Sequence, residues 1–377
     1  MLRTKILAIS GKTWPVLAWL RRVAEPQGVK VRKTPAGIEL SNGKAALLIS
    51  FKHALLGKTI IQNFHAFAMA QSGSAVNGVR TVDYATDLAN FQLVRKCLRF
   101  GVTIHNRGDE VWLHKDQRAM ILAKRHFIYS CDMAERFELY FTPLVPEIRE
   151  GLQVLDYSHP GKVQSYKSGL QFAMASFPEE EEAIEEYFRW YRPKSGDLVF
   201  DMGAHCGVST YHLSKLVGPE GRVIAFEPDP VNFEFLKSNI ERHGLTNVTA
   251  ENTAISGTAG ELAFNSEGTI GSALVSLLQR DSVGSIVTVK AVTFADAFRQ
   301  WGVPAFCKID IEGAEVDVIA KSSDALKKHR INLAIDTNHP KPDGEMTNRE
   351  VESMLQDYGY EVHSEARPLL TTWARQR

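Results

Sequence analysis

The chain has 377 residues, of which 44% are hydrophobic and 23% charged, and its formal net charge at pH 7 is zero. This length suffices for two domains, and the composition excludes collagen-like and low-complexity proteins. No apolar run is long enough to span a bilayer, so we expect no transmembrane segment. The N-terminal apolar stretch is interrupted by Lys12 and Pro15 and has no small-residue cleavage site, so we expect no secretory signal.

The four cysteines are scattered along the chain, at Cys97, Cys131, Cys206 and Cys307. No pair has the C-x-x-C spacing of structural zinc sites, and the set is too sparse for a disulfide framework. Such usage is typical of reducing compartments. We therefore predict a soluble protein of the cytoplasm.

The zero net charge conceals an uneven distribution. Residues 1–150 contain 22 Lys and Arg against 12 Asp and Glu, whereas residues 151–377 contain 22 against 32. The asymmetry indicates two units with different electrostatic roles. Two interpretations stay open: the opposite charges help the halves to pack, or the basic half attracts an anionic substrate. Because no basic stretch is interleaved with aromatic residues, we expect no nucleic-acid partner.

The first half contains recognisable elements but no chemical motif. Trp14–Val23 has the pattern of a short amphipathic helix. Two strand-like pieces flank Asn106 to Asp109, and this polar turn predicts a β-hairpin over residues 102–113. We predict an N-terminal α+β domain over residues 1–151, of unknown role.

The second half begins with short strand-like pieces at Leu152–Asp156, Val163–Tyr166 and Leu170–Ser176. A helix follows, which the acids Glu179–Glu182 introduce and which reaches Tyr191, and after it strands and helices alternate. Such alternation requires crossover connections and predicts a doubly wound, mostly parallel sheet over residues 152–377. The predicted strands are Asp197–Met202, Arg222–Phe226, Val248–Glu251, Ile286–Val292, Ala305–Ile311 and Ile331–Asp336, with a closing pair at Tyr360–His363 and Leu369–Trp373. The predicted helices between them are Val208–Val217, Pro230–Arg242, Thr293–Trp301, Ala314–Lys328 and Thr347–Asp357.

The first chemical motif is a glycine turn between a strand and a helix, D-M-G-A-H-C-G at residues 201–207. Gly203 permits a tight turn, and Gly207 lets a ligand approach the helix start, whose free N–H groups favour a carboxylate. Glu227 ends the next strand, where an acid can accept hydrogen bonds from a ribose diol. The glycine spacing differs from G-x-G-x-x-G, and Asp201 suits a cationic amino group better than a pyrophosphate. The motif therefore favours S-adenosylmethionine over NAD, and an NAD-linked oxidoreductase is the alternative.

Two further motifs end neighbouring strands. In K-I-D-I-E-G-A-E at residues 308–315, strand periodicity places Lys308, Asp310 and Glu312 on one face. A central strand tolerates such charges where they line a cleft or pair with one another. D-T-N-H-P at residues 336–340 follows the next strand. Asp310, Asp336 and Asn338 offer oxygen ligands for Mg²⁺, but we predict no metal because no motif requires one.

Taken in order, the motifs D-x-G-A-x-x-G, A-F-E-P, N-x-x-x-L-x-x-N and K-I-D-I-E-G-A-E resemble those of the FkbM-type S-adenosylmethionine-dependent methyltransferases. The resemblance covers residues 152–377. It implies a Rossmann-like class I methyltransferase fold, with a seven-stranded, mostly parallel sheet and an antiparallel last strand. It also implies methyl transfer to a hydroxyl oxygen of a glycan or secondary metabolite.

The resemblance also implies residue roles, all directed at the cofactor. Asp201, Gly203, Ala204 and Gly207 hold the methionyl part, Glu227 holds the ribose, Asn252 and Ala254 flank the adenine, and Asp310 faces the methyl end. His205 stands where the family often has Asn, and Asp336 where it often has Glu, so contacts to cofactor and acceptor can differ here.

The sequence thus predicts an O-methyltransferase for a small-molecule or glycan acceptor. An alcohol is a poor nucleophile, so a base assists its attack. His339 is the first candidate for that base, with Asp310 and His205 behind it. A non-catalytic S-adenosylmethionine-binding module and a nucleic-acid methyltransferase are further alternatives. The second is disfavoured because the chain lacks an N-P-P-Y-like segment.

Overall fold

The computed structural model describes residues 14–42, 45–49, 60–61, 64, 79–81, 84–179, 181–278, 282–341, 344–366 and 369–376. The chain divides into two compact units. The first unit comprises residues 1–137 and 147–156, and the second comprises residues 138–146 and 157–377.

From Trp14 to Tyr157 the chain combines short helices with two antiparallel-rich sheets. The helices are α1 Trp14–Ala24, α2 Tyr84–Arg99, α3 Ser130–Glu135 and α4 Phe137–Phe141. The strands are β1 Lys30–Thr34, β2 Gly37–Ser41, β3 Ala46–Ile49, β4 Val79–Thr81, β5 Thr103–Arg107, β6 Glu110–Lys115, β7 Arg118–Ala123, β8 Glu147–Arg149 and β9 Leu152–Tyr157. They form sheets of order β1-β2-β3-β4 and β5-β6-β7-β9-β8. The helix predicted from Trp14 and the hairpin, with Arg107 opposite Glu110, are both confirmed.

The second unit is built on a seven-stranded sheet of order β14-β13-β12-β19-β20-β22-β21. Its strands are β12 Leu198–Met202, β13 Arg222–Phe226, β14 Val248–Glu251, β19 Phe306–Ile309, β20 Asn332–Asp336, β21 Tyr360–Ala366 and β22 Leu370–Gln376. The first five strands in space run parallel, and β22 is antiparallel to both of its neighbours. The predicted α/β class is confirmed.

Helices cover this sheet on both faces. They are α5 Glu181–Tyr187, α6 Val208–Val217, α7 Pro230–Arg242, α8 Phe294–Trp301, α9 Glu315–Lys321, α10 Ser323–Lys328 and α11 Asn348–Asp357. Side chains alternate along β12, so Phe200 and Met202 join the core with Phe294 and Val318. On the other face, Ala204 and Ala225 pack against Leu236 of α7. The end of β12 is therefore held between two helical layers.

A smaller set of strands lies outside the seven-stranded sheet. They are β10 Val163–Ser165, β11 Gln171–Ala173, β15 Ala254–Ile255, β16 Gly260–Ser266, β17 Ala273–Leu274 and β18 Ser285–Val292. β10 pairs with β11, and the others form a sheet of order β15-β18-β16-β17. The strand predicted at Ile286–Val292 thus exists, but its expected place in the parallel sheet was wrong. Its alternating exposed and buried residues are typical of an antiparallel strand that is solvated on one face.

Two predicted helices were too long. Ala314–Lys328 is divided at Ser322, where α9 ends and α10 begins, because two adjacent serines favour local turns over helix continuation. The helix predicted to reach Tyr191 ends at Tyr187. Beyond it, the rings of Phe188 and Tyr191 lie 6.1 and 6.0 Å from that of Phe306, and this packing replaces the helical path. Within the described residues, no helix has the length and hydrophobicity needed to cross a membrane.

Candidate active site

A pocket opens where β12, β13 and β19 end. The residues directly after these strands line it, together with one wall from the small sheet and one residue from before α5. Its lining includes Glu179, Gly203, His205, Phe226, Glu227, Pro228, Asn232, Thr253, Ala254, Ile255, Phe264, Thr269, Ile270, Ser272, Leu274, Asp310, Ile311, Glu312 and Ala314. Of the predicted site residues, the pocket brings together Gly203, His205, Glu227, Ala254 and Asp310. The lining does not include Asp201, Ala204, Gly207, Asn252 or His339.

The turn after β12 passes so close to neighbouring segments that two of its positions require glycine. Gly203 has a φ of +80°, and a Cβ atom there would collide with the carbonyl oxygen of Asp310. Gly207 has a φ of +94°, and a Cβ would lie 2.7 Å from Cδ1 of Leu236. L-residues rarely adopt either conformation. The two glycines therefore let the turn, the end of β19 and helix α7 approach one another beside the pocket.

Asp201 is placed differently from its predicted role. Its side chain is fully buried, and Oδ2 accepts hydrogen bonds from Ser209 Oγ at 2.8 Å and Thr210 Oγ1 at 2.6 Å. Oδ1 lies 3.5 Å from Nζ of Lys308. Burial raises the pKa of Asp201, and the ammonium of Lys308 opposes that rise. Asp201 thus ties β12 to α6 and neutralises a buried lysine.

Lys308 binds the glycine turn from β19. Its Nζ donates to the carbonyl oxygen of Gly203 at 2.7 Å and lies 3.7 Å from Asp310 Oδ2. Burial by itself lowers the pKa of Lys308, but the carboxylates of Asp201 and Asp310 outweigh it and raise that pKa. The lysine therefore stays charged and fixes the floor of the pocket.

Glu227 lies at the end of β13 and is only 5% exposed. Its two carboxylate oxygens accept hydrogen bonds from the backbone N–H groups of His205 at 2.7 Å and Asp229 at 2.9 Å. Burial raises the pKa of Glu227 to about 7, against the lowering effect of these donors. Asn252 donates from Nδ2 to the backbone oxygens of Glu227 and Pro228, at 2.8 and 3.1 Å. Asn252 thus supports the turn that presents Glu227, while Ala254 lies in the pocket wall.

His205 and Glu179 form a buried pair at the other side of the pocket. Nδ1 of His205 lies 3.5 Å from Oε1 of Glu179, and the His205 side chain is 8% exposed. Oε2 of Glu179 accepts from the backbone N–H of Ser209, at the start of α6, at 3.3 Å. Burial alone lowers the pKa of His205, but the neighbouring groups of Cys206 and Glu179 raise it well above its ordinary value.

The third group surrounds His339. Its Nε2 lies 3.9 Å from Asp310 Oδ1 and 3.5 Å from Glu312 Oε1, and its Nδ1 lies 3.2 Å from Oε1 of the fully buried Glu315. Burial alone lowers the pKa of His339, but Glu315 and Glu312 raise it well above 6.5. Burial and the charge of Asp310 also raise the pKa of Asp336, to about 7. His339 is thus held as an imidazolium beside the predicted catalytic Asp310.

Strand β19 ends one residue before Asp310, so Asp310 and Glu312 belong to the following loop and not to a strand face. Two groups of three side chains bring their donor atoms within 4.8 Å of one another: Glu179, His205, Cys206 and Asp310, Glu312, His339. Asp336 belongs to neither of these two groups of described residues. The absence of a metal stays a prediction.

Sequence reasoning missed Glu179 as a pocket residue. It stands in a run of acids that was interpreted as the start of a helix, yet α5 begins at Glu181. No local sequence feature sets Glu179 apart from the acids that follow it, because Pro178 before it is itself typical of a helix start. The apolar wall of Phe264 and Leu274 was missed as well, because β16 and β17 were not predicted.

Residues 201–362 match the family model described as the methyltransferase FkbM domain. The 31-O-demethyl-FK506 methyltransferase FkbM of Streptomyces tacrolimicus is 28% identical over 206 residues, which are 47% of this chain and 77% of that relative. A tRNA (adenine(58)-N(1))-methyltransferase catalytic subunit, TRM61, of Cryptococcus neoformans is 43% identical over 53 residues, or 14% of this chain and 12% of its own. The solved structure of methyltransferase FkbM from Methylobacillus flagellatus is 17% identical, covers 85% of this chain and 60% of its own, and aligns with a TM-score of 0.37.

The protein is therefore an S-adenosylmethionine-dependent methyltransferase. Residues 201–362 of this chain are similar to the FkbM-type methyltransferase domain. The pocket fits the cofactor chemically. It offers the Glu227 carboxylate for the ribose diol and apolar walls for the adenine. The buried polar side chains of Glu179 and His205 lie at the opposite end.

Proposed function

We propose that the protein methylates a hydroxyl oxygen of a carbohydrate or secondary metabolite. The observation that carries this proposal is the Asp310–His339 pair, because Asp310 lines the pocket and His339 lies 3.9 Å behind it. A carboxylate backed by an imidazole suits the removal of a proton from an alcohol. The name of the Streptomyces tacrolimicus relative, which describes a 31-O-demethyl substrate, supports an oxygen acceptor.

The cofactor lies along the strand ends in this proposal. Glu227 accepts hydrogen bonds from the ribose, Ala254 and the walls at Phe226 and Phe264 enclose the adenine, and the turn at Gly203 faces the methionyl part. When bound, S-adenosylmethionine supplies an electrophilic methyl group. The remaining task of the protein is to align the acceptor and to take up its proton, and alignment alone can contribute several kcal/mol.

Asp310 and His339 perform the proton transfer. The acceptor hydroxyl would donate a hydrogen bond to the Asp310 carboxylate, and the pair would take up its proton as the methyl group leaves the sulfur of the cofactor for the acceptor oxygen. The carboxylates of Glu312 and Glu315 keep His339 protonated in the resting pocket, because they raise its pKa well above 6.5. His339 must therefore lose its proton before it can accept another.

This requirement predicts a pH dependence. We expect turnover to rise with pH beyond 6.5, as the imidazolium of His339 deprotonates. His339→Asn removes the titrating group, so turnover falls by about 10²- to 10⁴-fold and the rise with pH disappears. The measurement is the pH profile of S-adenosylhomocysteine release, with cofactor affinity as the control for an intact pocket. A variant that keeps the wild-type profile contradicts the assignment of His339.

A metal-dependent reaction is tested with the same assay. We expect full turnover after exhaustive EDTA treatment, because Asp310 and His339 supply the proton acceptor. Strict restoration by Mg²⁺ would assign the carboxylates to a metal instead. Screening sugars and lipid-linked precursors with labelled cofactor identifies the acceptor, and release of S-adenosylhomocysteine distinguishes an enzyme from a binding module.

We also propose that residues 1–151 form a domain that helps to select the acceptor, while residues 152–377 bind the cofactor. The excess of Lys and Arg in the first part supports an anionic acceptor. A cytoplasmic location is proposed as well. It is supported by four free cysteines, three of which are buried.

A further inference from the structure

The two ends of the cofactor pocket are distinguished by the order of the strands. Glu227 follows β13, and the lining residues Thr253 and Ala254 follow β14 on its outer side. β12 and β19 lie on the other side of β13, and they supply Gly203 and Asp310. A ribose at Glu227 therefore places the base toward β14 and the amino-acid part toward the turn after β12.

The amino-acid part of the cofactor carries an ammonium group, which needs a carboxylate. Asp201 was the sequence-based choice, but it is fully buried, outside the lining and engaged by Ser209, Thr210 and Lys308. The ammonium of Lys308 already neutralises it. A second cation at Asp201 would have to displace the lysine, which also binds the Gly203 carbonyl oxygen.

Glu179 has the properties that Asp201 lacks. It lines the pocket beside Gly203 and His205, and its side chain is 16% exposed. Oε2 is fixed by the backbone N–H of Ser209, which orients the carboxylate. Oε1 is buried and accepts no hydrogen bond from any residue that the structure describes, although Nδ1 of His205 lies 3.5 Å from it. Oδ1 of Asp201 also accepts none, but the permanently charged ammonium of Lys308 lies 3.5 Å from that oxygen. A buried acceptor of this kind is costly unless a ligand satisfies it.

His205 is a second indication of a ligand at this end. Its side chain is more than nine-tenths buried in the lining, and neither ring nitrogen makes a hydrogen bond among the described residues. Nδ1 lies 3.5 Å from Oε1 of Glu179, so the two side chains form one polar group in the pocket. An acceptor at Glu179 and a ring nitrogen at His205 together match a zwitterionic amino acid, which carries both an ammonium and a carboxylate.

We propose that Glu179, 22 residues before the start of the matched family domain, accepts the methionyl ammonium of S-adenosylmethionine, with His205 beside it. The proposal rests on the binding of this cofactor in the pocket. It assigns to the segment before α5 a part of the cofactor site that residues 201–362 do not supply. Asp201 is then a structural residue that supports the turn.

The test compares two ligands by calorimetry, without turnover. S-adenosylhomocysteine contains the amino-acid part, whereas 5′-methylthioadenosine lacks it. We expect Glu179→Gln to weaken S-adenosylhomocysteine by about 10-fold or more, because a charge-assisted hydrogen bond is lost, and to change methylthioadenosine affinity less than about twofold. Glu179→Ala carries the same expectation.

Glu181→Gln is the matched control, because it removes the same charge two residues away. Glu181 lies outside the pocket lining, and its Oε1 is 3.4 Å from Nε2 of His212. It should leave both affinities unchanged. The effect of Glu179→Gln should also persist in a His205→Asn background. If it disappears there, Glu179 acts only on His205, and the proposal is overturned.

Two other outcomes separate this inference from the cofactor assignment. Equal weakening of both ligands by Glu179→Gln means a general loss of the pocket and overturns the role of Glu179 alone. A wild-type chain that binds neither ligand overturns the cofactor pocket and this inference together. Selective loss for the ligand with the amino-acid part supports the proposal.

Discussion

Single residues in this pocket serve the fold and the ligand at once, and Glu227 is the clearest case. Its carboxylate holds the backbone N–H groups of His205 and Asp229, which fixes the turn after β12 against the turn after β13. The same carboxylate lines the pocket. Because it is buried, its pKa rises to about 7.

Glu227 therefore predicts a pH-dependent affinity. An ionised carboxylate accepts hydrogen bonds from the ribose, and a protonated one does so less well. We expect S-adenosylmethionine binding to weaken as the pH falls through about 7. Glu227→Gln should weaken binding by about 10- to 100-fold at pH 8 and remove this dependence. Calorimetry between pH 6 and 8 measures both effects, and unchanged affinity in a folded variant would rule out the ribose contact.

The effect of Glu227 on folding has the opposite sign. Its pKa in the folded state is higher than 4.5, so ionisation costs folding free energy as the pH rises from about 4.5 to 7. Glu227→Gln removes that cost, although it also disturbs one of the two backbone contacts.

At the scale of elements, the sequence predicted single strands and helices better than their assembly. The bounds of β13, α6 and α7 agree with the prediction, because Pro230 after the capping Asp229 and the glycines at both ends of α6 are local determinants. Sheet membership depends on distant pairing, so β18 was assigned to the wrong sheet and β16 was missed. Glu179 was missed for the same reason, since its contacts with His205 and Ser209 are 26 and 30 residues away in sequence.

We predict that replacing glycine with alanine in the turn between β12 and α6 destabilises the fold to different extents at different positions. Gly203→Ala places a Cβ on the rigid backbone of Asp310, whereas at Gly207 the nearest atom is a flexible end of Leu236. Gly244 has a φ of +59° and no atom within 4 Å, so Gly244→Ala adds only strain, about 1–2 kcal/mol. We expect the loss of unfolding free energy to increase from Gly244 to Gly207 to Gly203. Urea denaturation measures the order, and equal losses would show that backbone strain alone governs all three positions.

At the scale of the whole molecule, the main feature is the uneven distribution of charged residues along the chain, which is read from the sequence. The excess of 22 Lys and Arg over 12 Asp and Glu in residues 1–150 opposes the acidic remainder of the chain. A field of this sign attracts anions over a distance comparable with the Debye length, about 8–10 Å at physiological salt.

An anionic acceptor therefore predicts a salt effect. We expect kcat/KM for such an acceptor to fall as NaCl increases from 50 to about 500 mM, while S-adenosylhomocysteine affinity changes little. An uncharged analogue of the same acceptor is the control and should be insensitive. If both acceptors respond equally, the charge asymmetry serves packing and not acceptor selection.

The path of the chain between the two units has a consequence for dissection by proteolysis. Residues 138–146 belong to the second unit and residues 147–156 to the first, so the chain passes from one unit to the other three times. A nick between residues 146 and 147 yields two fragments, each of which contains part of both units. During synthesis on the ribosome, the first unit lacks strands β8 and β9 until residue 157 has left the exit tunnel. Residues 138–146, the first segment of the second unit, have emerged before that point.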